Sequence, residues 1–269
     1  MLNPAPFCLI GIVNVTPDSF SDGGKYIDPR NAVAHGLRLL DEGAGMLDLG
    51  AESTRPFAEP VPEGEEIARL MPVVARLREQ RPDAVLSVDT LKAGTARAAL
   101  EGGADIINDV SACVADPALL DVLAEYKPGY VLMHSQGSPR EMQVNPRYGN
   151  VVEEILAFFE EHLARLVKAG LPEDRIVLDP GIGCKNKDHT VAILKGLERF
   201  ASLGRPLYVG LSRKSMFREI LGLELEQRAE ATRLAVALLA ARGIPYHRVH
   251  DVAGCAQALR LVEAMTPLA

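Results

Sequence analysis

Eight short apolar runs, separated by amphipathic segments, constrain this chain more than any other feature. The runs are CLIGIVN (8–14), MLDLG (46–50), AVLSVD (84–89), IINDV (106–110), YVLMH (130–134), IVLDP (176–180), LYVGLS (207–212) and YHRVHD (246–251). Most are apolar at nearly every position, as parallel strands covered by helices must be. Between them, NAVAHGLRLLDEG, EEIARLMPVVARLREQ, VVEEILAFFEEHLARLVKAG and QRAEATRLAVALLAARG carry helical periodicity. Helical segments end at Gly43, Gly103, Gly170 and Gly243, a residue that takes the left-handed position after a helix without a Cβ clash. Strand, loop, helix, glycine, repeated about eight times, predicts an α/β protein built as a (β/α)8 (TIM) barrel. An open doubly wound sheet is the alternative, because periodicity does not show closure. No composition break marks a boundary, so one barrel domain is expected over residues 1–269.

Composition narrows the partners. With 48% hydrophobic residues the chain can bury a large core, and its formal charge of −7 argues against a nucleic-acid partner, which requires a basic face. No run approaches the roughly 18 apolar residues of a membrane span. The opening MLNPAPFCLIG has neither the basic flank nor the apolar stretch of a signal peptide. Cys8, Cys113, Cys184 and Cys255 are scattered, with no C-x-x-C, and so read as incidental thiols in a reducing cytoplasm rather than as a disulfide or zinc framework.

The functional signal lies at the strand ends and in the loops after them. Helix-to-strand links are short, whereas the long segments 15–29, 51–63, 134–149 and 180–188 all come after strands. In a barrel these share the C-terminal face, where active sites form. Each apolar run also ends on polar residues: Asn14, Asp48 with Glu52 beyond it, Asp89, Asn108 with Asp109, His134, Asp179, Ser212 with Arg213 and Lys214, and His250 with Asp251. Asp109 and Asp251 can each be read as a helix cap. One polar group on nearly every strand reads instead as the floor under a ligand. Asp89, Asn108 and Asp179 suit a flat heterocycle with an amidine-like edge, and Lys214 can donate to a ring carbonyl or ring nitrogen. Arg248 and His250 lie two apart on one strand, hence on one side, and with Asn14 form an anion site. Asn14 as a neutral oxygen donor also suits Mg2+, which takes few protein ligands and prefers substrate phosphates. A serine hydrolase is disfavoured because GLSRKS is not a nucleophile elbow, and a dinucleotide site because GIGCKN lacks the glycine fingerprint.

Taken in order, NVTPDSFSDGG, DLGAESTRP, SVDT, IINDVSA, VLMHSQGSP, LDPGIG, GLSRKS and RVHDV resemble the dihydropteroate synthase family of the pterin-binding barrels over residues 14 to 252. The resemblance implies two small-molecule substrates, a 6-hydroxymethyl-7,8-dihydropterin diphosphate and 4-aminobenzoate, joined with loss of diphosphate. It implies that Asp89, Asn108, Asp179 and Lys214 hold the pterin. Arg248 is expected against the pterin ring face and, with His250, Asn14 and Mg2+, around the diphosphate. Asp22 matches the aspartate of the first loop, and Thr54, Arg55 and Pro56 match the second, with Asp22, Arg55 and Lys214 expected in catalysis and Thr54 on the diphosphate. Pro56, Ser215 and Cys184 are expected at the aminobenzoate. A homodimer is implied as well.

The fit departs from the family at three places, the slightest being Ser135 for a usual methionine. After LDPG the family reads aromatic-Gly-Phe-Gly-Lys, whereas Ile182, Gly183, Cys184, Lys185 and Asn186 stand here. Cys184 occupies the position of a ring that packs on the aminobenzoate, and Phe57 comes after STRP where a small residue is common. An altered benzoate pocket is expected, with Phe57 supplying the missing ring. The expected outcome is a sulfonamide inhibition constant unlike that of ordinary members, and a matching constant would contradict it. A pterin-binding relative with a changed second substrate is the alternative reading.

Overall fold

The computed structural model describes residues 6–16, 28–52, 59–136, 147–183 and 185–266. Its strands are β1 (Cys8–Asn14), β2 (Met46–Gly50), β3 (Val85–Asp89), β4 (Ile106–Asp109), β5 (Gly129–Met133), β6 (Ile176–Asp179), β7 (Tyr208–Val209) and β8 (Tyr246–Val249). Its helices are α1 (Pro29–Asp41), α2 (Glu63–Gln80), α3 (Ala93–Glu101), α4 (Leu119–Tyr126), α5 (Val151–Ala169), α6 (Lys187–Lys195), α7 (Met216–Leu221), α8 (Arg228–Ala241) and α9 (Val252–Met265). The strands pair in parallel in the order β6-β5-β4-β3-β2-β1-β8-β7. A parallel bridge between Leu178 and Leu207 joins the two ends, backed by Leu178 N–H donating to Pro206 O at 3.0 Å. The sheet is therefore a closed barrel, and the open doubly wound alternative fails.

Local chemistry accounts for the helix ends. Asp28 caps α1 by accepting from Arg30 N, and Pro29 opens the helix where its missing N–H costs nothing. Gly43, Gly103, Gly170 and Gly243 come after their helices at φ of 105°, 98°, 110° and 79°, the left-handed geometry expected of them. β7 is shorter than the six-residue run in the sequence. Leu207 is used in the closing bridge, and the chain leaves the strand into a turn in which Arg213 itself takes φ 58°.

Strand period sorts the side chains into two cores. Outward residues such as Leu9, Val13, Leu47, Leu49, Leu86, Val88, Ile107, Tyr130, Leu132 and Leu178 pack against the helices in the main cluster. Inward residues Ile10, Met46, Ile106, Val131, Val177, Tyr208 and Tyr246 form a separate apolar plug inside the barrel. Polar inward residues are thus confined to the layers above that plug, which is where the site lies. Within the plug, the buried Tyr208 hydroxyl has no hydrogen-bond partner. Tyr208→Phe is therefore expected to leave stability unchanged or raise it by about 1 kcal/mol in urea unfolding, whereas a loss of that size would show the hydroxyl to be bonded.

Candidate active site

Strand register assembles the site. Asn14 pairs with Gly50, Gly50 with Asp89, and Asp89 with Asn108, so three of the expected residues lie in one row across β1 to β4. Asn14 is exposed at the barrel mouth, and Asn108 is buried. One layer deeper, on the same inward side of β2 as Met46 and Gly50, sits Asp48, with no solvent exposure.

Asp48 is the hub of the floor. Its Oδ1 accepts from Ser87 Oγ at 2.6 Å. Its Oδ2 accepts from Asn108 Nδ2 at 3.0 Å and from Arg248 Nε at 2.6 Å. Arg248 also donates through Nη2 to Asp89 Oδ2 at 3.1 Å. The guanidinium is drawn into the barrel by two carboxylates, which hold its pKa above the ordinary arginine value despite burial. Two of its five N–H groups are thereby used, and its fork is fixed by both carboxylates. Bonding to Asp48 likewise fixes the amide of Asn108, leaving its carbonyl oxygen and second N–H orientation defined for a ligand.

The two mouth carboxylates are poorly solvated. Burial, together with the neighbouring Asp48, raises Asp89 above the usual carboxylate range against the pull of Arg248. Burial also raises Asp179, against Lys214, the Gly181 N–H, Lys185 and Arg248. Asp179 Oδ1 accepts from Gly181 N at 2.8 Å. Lys214 Nζ donates to Ile182 O at 2.8 Å, and its chain lies so close to Gly183 that a Cβ there would stand 2.2 Å from Lys214 Cδ. Across the mouth, Ser212 Oγ accepts from His250 N at 3.2 Å and lies 3.0 Å from His250 Nδ1. One hydroxyl can serve both contacts by donating to Nδ1, which places the proton of the neutral ring on Nε2. Ser215, at the start of α7, is exposed.

Several polar strand ends do not join this floor, among them Glu52, which pairs with Lys92, and the exposed Arg213. Asp109 faces outward and accepts from Ser111 N, Cys113 N and Tyr130 Oη at 2.7, 2.6 and 2.9 Å. Asp251 caps α9 through Gly254 N and binds Arg233. The helix-cap reading holds for Asp251 but not for Asp109, which ties the turn after β4 while α4 begins only at Leu119, after an uncapped Ala118. His134 packs against Phe158 of α5 at 4.8 Å, and burial lowers its pKa to about 3, so it is a neutral core ring rather than part of the floor. Asp22, Thr54, Arg55, Pro56, Phe57 and Cys184 lie outside the described residues.

Sequence reasoning placed Asp48 among the strand ends without a role, and gave none to Lys185, which is 7% exposed behind Asp179. Asp48 was signalled by its spacing: two residues before Gly50, it must share the inward face with it.

Comparison with known proteins agrees with this geometry. The model of the pterin-binding enzyme family matches residues 10–250. The dihydropteroate synthase of Escherichia coli (strain K12) is 40% identical over 257 residues, covering 95% of this chain and 90% of that one. The chain belongs to the dihydropteroate synthase family. Among solved members, the Yersinia pestis dihydropteroate synthase in a sulfonamide drug complex superposes with a TM-score of 0.90 at 40% identity, covering 97% of this chain and 94% of that one. The Xanthomonas albilineans dihydropteroate synthase in complex with 7,8-dihydropteroate gives 0.86 at 42% identity, over 97% and 95%.

Proposed function

We propose that this mouth carries out the family's transferase reaction with the residues described above. In that reaction, 6-hydroxymethyl-7,8-dihydropterin diphosphate condenses with 4-aminobenzoate to give 7,8-dihydropteroate and diphosphate. The observation that carries the residue assignment is the row Asn14, Asp89 and Asn108 above the Asp48–Arg248 pair, in one barrel mouth.

The pterin is held by Asp89, Asn108, Asp179 and Lys214. A buried carboxylate takes two N–H bonds from the amidine edge, and Lys214 donates to a ring carbonyl or nitrogen. As the C–O bond to diphosphate lengthens, positive charge develops on the methylene and the ring. The fixed carboxylates of Asp89 and Asp179 stabilise that charge without reorganising, which is where such groups contribute most. The outer N–H groups of Arg248 and the Nε2 of His250 take the departing diphosphate. The arylamine then attacks the methylene and loses its proton to complete the new C–N bond. Ser215, Pro56 and Cys184 are assigned to the aminobenzoate, Ser215 to its carboxylate. Asp22 and Arg55 are assigned catalytic roles, and Thr54 is assigned to the diphosphate.

Mg2+ fits this donor set. Among the described residues no three His, Cys, Asp or Glu side chains gather as a metal cage, and the exposed Asn14 offers a single neutral oxygen. That is the sparse protein contribution Mg2+ accepts when phosphate oxygens and water complete its shell. When bound, the ion would neutralise diphosphate charge.

A homodimer is also proposed. Leu234 and Leu238 of α8 are 60% and 68% exposed, and Leu261 and Met265 of the adjoining α9 are 60% and 73% exposed. Each pair is spaced i, i+4, so each of these two packed helices presents an apolar stripe to solvent. Leu238→Glu is expected to give a monomer in light scattering, and an unchanged mass would remove this face as the interface. A cytoplasmic setting is in keeping with the free thiols of Cys8, Cys113 and Cys255 and, among the described residues, with the lack of a helix long and apolar enough to cross a membrane.

The deciding assay mixes the pterin diphosphate, 4-aminobenzoate and Mg2+ and monitors diphosphate. Release that requires the amine is expected. Pterin binding without amine-dependent release would replace the synthase by a pterin-binding relative.

A further inference from the structure

We propose that Lys185 is a positioning residue for the pterin pocket, clamping the 180–183 turn and through it orienting both Asp179 and Lys214. The inference rests on the pterin roles given above to those two residues.

A lysine after a strand ordinarily keeps its ammonium in water. Lys185 does the opposite. It is 7% exposed, and its Nζ donates to the carbonyl oxygens of Pro180 and Gly181, each at 3.0 Å, and to that of His134 at 3.5 Å. The ammonium thus ties the end of β5 to the turn after β6. The same two strands are joined again where His134 N donates to Asp179 O at 2.9 Å.

The clamped turn touches the site at two points. Its Gly181 N–H holds Asp179 Oδ1, and its Ile182 carbonyl holds Lys214 Nζ. The glycines are those the clamp requires. A Cβ on Gly181, at φ 69°, would stand 2.2 Å from His134 O and 2.8 Å from Lys185 Nζ. A Cβ on Gly183, at φ 87°, would meet Lys214 Cδ. Two lysines thus bond one short turn, Lys185 at the Pro180 and Gly181 carbonyls and Lys214 at that of Ile182. The buried positive charge also favours the ionised carboxylate of Asp179, the form that accepts two ligand N–H bonds.

The test uses Lys185→Met, Lys185→Arg and Gly181→Ala in the full chain, with three readouts: calorimetric affinity for 6-hydroxymethylpterin, affinity for inorganic diphosphate, and KM for the pterin diphosphate. In Lys185→Met, pterin affinity is expected to fall by at least about tenfold, the scale of one charge-assisted bond, with KM for the pterin diphosphate rising in parallel. Diphosphate affinity should stay within about twofold, the scatter of a site whose own contacts are untouched. Lys185→Arg should recover part of the loss, since a guanidinium can also donate to carbonyls. Gly181→Ala, which displaces the same turn with Lys185 in place, should reproduce it. Unchanged pterin affinity in Lys185→Met, or an equal loss of diphosphate affinity, overturns the clamp. So does a Lys185→Met chain that fails to fold alongside a Gly181→Ala chain that binds pterin normally. Wild-type protein that binds no pterin would remove the proposed function itself, whereas wild-type binding with unaffected variants removes only the clamp.

Discussion

Asp179→Asn is expected to bind pterin at least about 100-fold more weakly, the loss of two charge-assisted hydrogen bonds, while the free protein becomes no less stable. The two effects have one cause. Burial raises the Asp179 carboxyl above its ordinary range even though Lys214, Lys185 and Arg248 oppose it. An acid whose folded value is raised contributes most to stability at low pH, where it is protonated in both states. That contribution is lost as pH rises through the folded value. Asparagine keeps the acceptor for Gly181 N–H and has no charge to desolvate. The stability of Asp179→Asn relative to wild type should therefore increase from pH 4 to pH 8, read by urea unfolding at each pH. Calorimetric titration with 6-hydroxymethylpterin supplies the affinity. A variant that binds as wild type does, or whose relative stability falls with pH, would show that the carboxylate is not held for a ligand.

The second large effect is structural. Asp48→Ala is expected to cost about 3–5 kcal/mol, the range for removing one partner of a buried ion pair. At about 2–4 °C per kcal/mol for a chain of this size, Tm should fall by on the order of 10 °C. Three donors lose their acceptor at once: Ser87 Oγ, Asn108 Nδ2 and Arg248 Nε. The guanidinium is the costly one, because it stays charged inside the barrel. Asp48→Ala combined with Arg248→Ala should then cost less than the sum of the single changes, by about 1–3 kcal/mol. Additive costs would mean that the two side chains are not coupled and that the floor is not one network. Arg248→Ala alone should also weaken diphosphate binding, which separates its two tasks.

How much of the molecule is legible in its sequence depends on what each residue answers to. The row Asn14, Asp89 and Asn108 comes from strand period and the β/α alternation, both local properties. So does the outward turn of Asp109: Asn108 and Asp109 are consecutive and must face opposite ways, and only one can enter the barrel. Arg248 was expected to face the mouth, and it does, but its pairing with Asp48 joins residues 200 positions apart and depends on β8 pairing with β1. Closure itself hangs on a single bridge at Leu178 and Leu207, which no periodicity reports. His134 carries the same polar signal as Asp179, and only the packing of α5 shows that it turns away. Lys185 reads in the sequence as a solvated loop lysine. Its burial comes from a turn whose two glycines let backbone carbonyls surround the ammonium, a tertiary arrangement with no one-residue signature.

The central claim is that Asp89, Asn108, Asp179 and Lys214 together hold a pterin in the barrel mouth, over the Asp48–Arg248 pair. A crystal structure of the chain with 6-hydroxymethylpterin bound tests it most directly. The account predicts the ring in that mouth, with its amidine edge on a carboxylate of Asp179 or Asp89 and Lys214 on the ring carbonyl or nitrogen. A pterin seated elsewhere, or seated there without contact to either carboxylate, would contradict it.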